Sequence, residues 1–276
     1  MKLSIVTINL NNAIGLEKTL TNLFNQPISR DKIQSIVIDG GSTDGSLDII
    51  KSFQDKIDYW ISEKDNGIYN AMNKGIAIAD GDYINFMNSG DYFAQGVLTD
   101  EFLYKLDSDI IYGDCLTTRD YLHFELSKQP ESLSLYNFYF GCICHQATFI
   151  KTEVQKKYLF DESMRYASCR KFFIESIILN NIKSQYIDIP VAVYDLNGVS
   201  ATQKEKLVQE IEQYLTALLP ENIIKDYKHL NQQTKVINNS KIYPWIERLH
   251  PYRGKKIAIE KMINFIFKIL FRFEKR

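Results

Sequence analysis

The chain has 276 residues, 45% of them hydrophobic and 24% charged, which is enough for one large domain, or one domain with an appendage, around a buried core. A formal net charge of −1 at pH 7 removes the electrostatic basis for general nucleic-acid binding. The 17 tyrosines and 16 phenylalanines suit a site that stacks rings, although most such residues belong to cores.

Met1–Leu10 holds one lysine and a short apolar run with no small-residue cleavage site, so a secretory leader is not expected. No apolar stretch reaches the length that spans a bilayer. The expected location is the cytoplasm, where thiols stay reduced. Cys115, Cys142, Cys144 and Cys169 lack the two pairs of a zinc spacing and are expected to be buried free thiols.

Leu3–Ile8 is rich in β-branched residues and predicts a buried strand. Leu16, Leu20 and Leu23 give helical spacing to Gly15–Phe24. Ser35–Ile38 predicts a second strand, cut off by Asp39-Gly40-Gly41-Ser42-Thr43-Asp44-Gly45. A helix follows through Leu47, Ile49, Ile50 and Phe53, then a strand over Tyr59–Ser62, a helix over Ile68–Ala79 and a strand over Tyr83–Met87. Alternation of this kind argues for an α/β fold with a mostly parallel central sheet flanked by helices.

The second part is less regular. Ile110–Tyr112, Leu122–Leu126 and Thr148–Lys151 predict strands, Phe172–Leu179 a helix, and Tyr186–Tyr194 one or two strands broken at Pro190. Lys204–Leu219 predicts an amphipathic helix stopped by Pro220, and Asn231–Asn239 a polar loop. The expected division is a catalytic domain over 1–203 and a C-terminal helical extension over 204–276. That extension ends in a basic amphipathic tail with Ile259, Met262, Ile263, Phe265, Ile266, Ile269, Leu270 and Phe273 among Lys255, Lys256, Lys261, Lys268, Arg272, Lys275 and Arg276. Such a tail suits peripheral contact with an anionic membrane surface, or packing on another protein surface.

Ligands of open parallel sheets sit beyond the carboxyl ends of the strands. Here Asn9 and Asn11 follow the first strand, Asp39 the second, Glu63 and Asp65 the third, and Asn88 and Asp91 the fourth. Turn chemistry accounts for any one of these ends, and less readily for four in succession. The glycines at 40, 41 and 45 match neither a Walker loop nor a Gly-x-Gly-x-x-Gly dinucleotide fingerprint. An acidic crevice suits instead a divalent metal carrying a diphosphate, and a lone aspartate after a strand can bond a base or ribose.

Five segments in register resemble family 2 glycosyltransferases, in particular the bacterial surface-polysaccharide branch that acts in colanic-acid, O-antigen and capsule assembly. They are Val37–Gly45 (VIDGGSTDG), Glu63–Gly75 (EKDNGIYNAMNKG), Phe86–Asp91 (FMNSGD), His145–Phe149 (HQATF) and Asp195–Ser200 (DLNGVS). The resemblance runs to about residue 201. It implies the GT-A fold with a Rossmann-like nucleotide-binding half, a nucleotide-diphosphate-sugar donor, most simply a UDP-sugar, and inverting transfer to the hydroxyl of a saccharide acceptor, one that a membrane lipid could carry. It also implies that Thr7, Asn9 and Asn11 line the nucleoside pocket, that Asp39 contacts the base, and that Asn73 and Lys74 approach the ribose and diphosphate. Asn88 and Asp91 complete the donor site, with Asp91 holding Mn2+ or Mg2+, and His145 and Gln146 lie near the transferred sugar or the acceptor.

The chain departs from the family pattern twice. Asn88 and Gly90 stand where the acidic motif commonly has further carboxylates, leaving Asp91 alone. Cys169 stands at the position of the expected catalytic base, with Arg170 after it. The remaining carboxylates that could serve are Glu162, before that segment, and Glu175, beyond it. The alternatives are therefore an active transferase, an impaired homologue that binds nucleotide-sugar, and an interaction module on the same scaffold.

Overall fold

In the computed structural model, which describes residues 1–198, 203–239, 257, 261 and 262, strand and helix alternate through the first third of the chain as the sequence requires. Strands β1 (Leu3–Asn9) and β2 (Ile33–Asp39) are buried at every residue, as central strands covered on both faces must be. β3 (Tyr59–Ser62) pairs with β2, and β4 (Tyr83–Phe86) with β1, all in parallel. Helices α1 (Ala13–Phe24), α2 (Ser46–Ser52) and α3 (Ile68–Ile78) make the crossovers. Asn12 caps α1 by accepting the Gly15 N–H at 3.1 Å. Leu16 and Leu20 of α1 pack with Val37 and Ile50 on one face of the sheet.

Antiparallel ladders join the second part to this parallel half. After β5 (Tyr92–Phe93) and the short α4 (Asp100–Leu103) come β6 (Ile110–Thr118), β7 (Glu125–Ser127), α5 (Leu135–Phe140), β8 (Thr148–Lys151) and α6 (Thr152–Lys157). Helix α7 (Ser168–Phe173) runs into a π-helical segment, Ile174–Leu179, and β9 spans Ser184–Asp195. The sheet order is β3-β2-β1-β4-β8-β6-β9-β5, with β7 on β6. β8 lies antiparallel to both β4 and β6, so it stitches the halves together. Phe149 of β8 fills the joint core, with ring centroids 6.4 Å from Phe93 and 5.1 Å from Phe102.

Three expectations change. Leu122–Phe124 is not strand, because the Asp120 carboxylate accepts the Leu122 and His123 N–H groups and Tyr121 takes φ +57°, turning the chain before β7. Pro190 does not split the last strand. β9 continues through it, and the ladder with β6 absorbs the missing donor by register shifts at Asp114. Asn231–Asn239 is not a loop but the end of helix α9 (Glu221–Asn239), which contains no glycine or proline beyond its start.

Two compact units are present, Met1–Leu218 and Leu219–Arg276. Helix α8 (Lys204–Leu218) belongs to the first. It buries Ile211 and Leu215, and the Glu210 carboxylate accepts the N–H groups of Arg165, Tyr166 and Ala167 at 2.6, 2.8 and 2.7 Å. The basic tail lies outside the described residues except for Ile257, Lys261 and Met262, which are exposed. Among the described residues no helix is long and apolar enough to cross a membrane.

Helix α3 lies so close to β1 that a Cβ at Gly75 would stand 2.3 Å from Val6 Cγ1. Gly75→Ala should therefore destabilise the fold by about 1–3 kcal/mol despite alanine's better helix propensity. Urea unfolding measures this, and an unchanged midpoint would show that the contact relaxes freely.

Candidate functional site

Parallel pairing of β1 with β2 and β4, and of β2 with β3, brings Asn9, Asp39, Ser62 and Asn88 to one edge of the sheet. Asp39 is fully buried there. Its carboxylate accepts five hydrogen bonds, from Asn9 Nδ2 (2.7 Å), Ser42 Oγ (2.6 Å), Ser62 Oγ (2.6 Å), and the Ser42 and Gly41 N–H groups (2.9 and 3.2 Å). Burial pushes its pKa up, but the bonds from Ser42, Ser62 and Asn9 outweigh that and hold it below the ordinary value. The tight return after β2 needs Gly41 at φ +79°, with the Lys64 backbone 3.3 Å from where a Cβ would sit. Asn11 braces the same loop from outside: its N–H donates to Ser42 Oγ and its Oδ1 accepts the Thr43 N–H.

Among the buried side-chain atoms without a hydrogen-bond partner in the described residues are Thr7 Oγ1 and Asn9 Oδ1 of β1 and Asn88 Oδ1 just after the neighbouring β4. Each unpaired buried acceptor costs about 1–3 kcal/mol, so oxygens left open on adjacent strands can receive hydrogen-bond donors. Lys74 has its ammonium 2.6 Å from Asp65 and 2.7 Å from Glu63. Asn73 turns elsewhere. It clasps the Phe160 backbone through both amide atoms, and with Asn70 it donates to the two oxygens of Glu162, each at 2.8 Å.

A second cluster surrounds Asp91. This carboxyl is 4% exposed. Its Oδ1 accepts the Asp195 N–H at 2.8 Å and its Oδ2 the Gln146 amide at 2.6 Å. Burial dominates these bonds and pushes the pKa up to about 7. Asp195 in turn accepts the Tyr121 hydroxyl at 2.5 Å. Asn88 Nδ2 lies 3.3 Å from His145 Nε2. The Cys169 sulfur takes the Tyr69 hydroxyl at 3.6 Å.

These placements sort the expected residues. Asn9, Asp39 and Asn88 stand at the carboxyl ends of β1, β2 and β4 and Thr7 lies within β1, while Lys74 of α3 pairs with Glu63 and Asp65, Glu162 bonds Asn70 and Asn73 of α3, and His145 lies beside Asn88. Gln146 is 2% exposed and holds Asp91, so it positions a carboxyl instead of lining open space. Glu175 is directed to Lys171 (3.8 Å) and to the Tyr214 hydroxyl of α8 (3.3 Å), and makes no contact with the Cys169 group. No carboxylate occupies the Cys169 position. Asp91, expected to hold a metal, has both oxygens engaged by protein donors, and no cluster of three ligating side chains suited to a metal exists among the described residues. The described residues therefore do not form a preformed metal cage.

Sequence reasoning passed over Ser42, Ser62, Tyr69, Asn70 and Asp195. Ser42, Tyr69, Asn70 and Asp195 lie inside recognised motifs and could have been found there. Ser62 carries no signal, since only the fold brings it to Asp39. A depression of about 660 Å³ lined by Gly81, Asp82, Leu106, Asp107 and Lys151 opens at the amino end of β4, the edge away from these groups.

A buried aspartate turn after β2 and a polar cluster after β4 stand at one edge of the mixed sheet of this α/β fold. The chain belongs to glycosyl transferase family 2, whose sequence model matches residues 4–173. It is similar to an uncharacterized glycosyltransferase of Mycobacterium tuberculosis, 42% identical over 91 residues. That match covers 33% of this chain and only 34% of the relative. In structure it resembles Staphylococcus aureus TarS in complex with UDP-GlcNAc, with a TM-score of 0.59 at 17% identity over 78% of this chain and 73% of that one. It also resembles the mannosyltransferase PcManGT of Pyrobaculum calidifontis in complex with GDP-Man and Mn2+, with a TM-score of 0.60 at 15% identity over 100% of this chain and 88% of that one. The fold is the GT-A arrangement expected from the sequence.

The raised pKa of Asp91 has a consequence for stability. At low pH the carboxyl is neutral in folded and unfolded chains alike. As pH rises through the unfolded value the unfolded chain ionises first, so folding loses stability until about pH 7, by a total on the order of 4 kcal/mol. Asp91→Asn keeps the acceptor for the Asp195 N–H and cannot ionise. Urea melts from about pH 5 to about pH 8 should show the wild type falling relative to Asp91→Asn. Parallel curves would place the Asp91 pKa at an ordinary value.

Proposed function

We propose that this chain is an inverting glycosyltransferase that moves a sugar from a nucleotide-diphosphate donor, a UDP-sugar, to a hydroxyl of a saccharide acceptor in bacterial surface-polysaccharide assembly. The observation that carries the reading is the cluster of unpaired Thr7, Asn9 and Asn88 oxygens around the Asp39 turn, at the carboxyl ends of parallel strands. A family 2 sequence and neighbours holding UDP-GlcNAc and GDP-Man support it. Residues 1–203 would form the catalytic domain. The extension over 204–276 would bring it to the cytoplasmic face of the membrane, where a lipid-linked acceptor lies.

In this reading Asp39 orders the turn that receives the nucleoside, with Thr7 and Asn9 accepting from the base and ribose. Lys74 lies along the path of the diphosphate. Mn2+ or Mg2+ carried by the donor diphosphate would supply charge neutralisation of the leaving group; Mn2+ is present with GDP-Man in the PcManGT complex. His145 faces the transferred sugar. The acceptor hydroxyl attacks the anomeric carbon from the side opposite the diphosphate and gives its proton to a base. Glu162 is the carboxylate we assign, because it stands exposed at the crevice with two amides orienting it and no cation beside it among the described residues. Cys169 is a poor substitute, since a thiolate is a soft nucleophile and a weak base for a sugar hydroxyl.

The Cys169 position also favours a second reading, a homologue that binds nucleotide-sugar and transfers nothing. Calorimetry with UDP and release of UDP from UDP-sugars separate the two: binding without release supports the second.

Asp39→Ala should weaken UDP binding at least about tenfold with or without Mn2+, since the turn loses the acceptor of five bonds. Unchanged affinity in calorimetry would remove Asp39 from the site. Glu162→Gln should lower turnover by about 10²–10⁴ with UDP affinity unchanged. Adding Cys169→Asp, which returns a carboxylate to the family's position, should raise the turnover of that variant. Full activity in Glu162→Gln alone would exclude Glu162 as the base.

A further inference from the structure

Two adjacent cations on α7 are treated in opposite ways. Lys171 is half-buried and doubly paired, its ammonium 2.6 Å from Asp161 and 3.8 Å from Glu175. Arg170 is only 8% exposed, yet its guanidinium has no hydrogen bond and no ion pair among the described residues, and its Nε is enclosed without a partner. The carboxylates that flank α7 in the chain, and that of Glu210 from α8, are committed elsewhere. Asp161 also accepts the Ser163 hydroxyl, Glu162 holds two asparagines of α3, Glu175 takes the Tyr214 hydroxyl, and Glu210 takes three backbone N–H groups. A charge withdrawn from water without a partner is strongly unfavourable, and a guanidinium cannot relieve it by losing its proton. Arg170 shares a face of α7 with Phe173, one turn on, whose ring stacks on Phe138 of α5 with centroids 5.9 Å apart. It directly follows Cys169, the residue at the position of the expected base.

We propose that Arg170 is the binding site for an oxyanion, a carboxylate or phosphate carried by the acceptor. The guanidinium is a planar fork of N–H donors that matches two oxygens of either group, and such a ligand supplies the counter-charge that the protein itself withholds. With Nε enclosed, the oxyanion meets the two terminal nitrogens. In the transfer reading above the donor diphosphate passes Lys74 of α3, which leaves the cation on α7 to the other substrate. The acceptor is then an acidic saccharide, one whose sugar bears a carboxylate or a phosphate. The identity of the carrier rests on that transfer reading, whereas the oxyanion site rests on the burial and pairing of Arg170 alone.

The test is calorimetry on the full chain with glucuronate, with glycerol phosphate and, as the uncharged control, with glucose, each in the presence and absence of UDP. Glucuronate or glycerol phosphate should bind the wild type more tightly than glucose does, and which of the two binds tells carboxylate from phosphate. Arg170→Met keeps an apolar stem and removes the charge, so it should bind that anion at least about tenfold more weakly, with UDP affinity unchanged. Arg170→Lys keeps the charge without the fork and should fall between the two. Urea melts give a second readout. Without anion, Arg170→Met should unfold at a midpoint equal to or above that of the wild type, because an apolar side chain has replaced an unpaired buried charge. The anion should raise the midpoint of the wild type and not that of Arg170→Met. Neither anion binding, anion binding retained in Arg170→Met, or UDP binding alone weakened by that substitution would overturn the proposal. Anion binding lost in Arg170→Met, in a chain that does not bind UDP, would instead uphold the oxyanion site and remove the transfer reading.

Discussion

The site depends on how a buried carboxylate at a strand end is kept charged. Asp39 has no water to solvate it, and an uncompensated charge in that position would cost several kcal/mol. The chain supplies five donors instead, drawn from β1, the turn after β2, and β3. Satisfying Asp39 therefore fixes the relative height of three strands and the path of the glycine turn. That turn in turn settles which face of Asn9 and Thr7 is left open.

Asp91, which follows β4, is handled differently. It receives two good hydrogen bonds, but burial outweighs them and its pKa rises. The contrast follows donor count: a carboxylate accepting many short bonds stays ionised, while one accepting fewer in a dry setting favours its proton. The neighbours of Asp91 are structural partners. Through Gln146 it reaches the start of β8, and through the Asp195 backbone the end of β9. It thus locks the antiparallel half of the sheet against the parallel half at the point where the crevice lies.

The third group is organised by aromatic and sulfur contacts. Tyr69 from α3 packs on Phe160 with centroids 5.5 Å apart, and its hydroxyl reaches Cys169 at the start of α7. Asn70 and Asn73, on the same helix, hold Glu162. One short helix therefore holds both the Cys169 thiol, through Tyr69, and the Glu162 carboxylate, through Asn70 and Asn73. Its close seat on β1, allowed by Gly75 against Val6, transmits the strand geometry to both.

The parallel nucleotide half was legible in the sequence. Continuous apolar runs at Leu3–Ile8 and Ser35–Ile38 can only be strands covered on both faces, and glycine and asparagine mark where each must end. The strand-end residues Asn9, Asp39 and Asn88 followed from the same reasoning, because in a parallel sheet all such ends share one edge. The later elements were harder: Leu122–Phe124 has strand-like residues, yet the Asp120 side chain captures its N–H groups, and the polar run Asn231–Asn239, which has the composition of a loop, continues helix α9. What only the tertiary structure decided is which groups meet. Glu162 and Glu175 are alike in sequence, but packing sends one to Asn70 and Asn73 and the other to Lys171 and Tyr214. Gln146 turns inward to Asp91. Local sequence sets the period and the ends of an element, whereas side-chain partners from distant elements depend on register, crossing and burial, which no local pattern encodes.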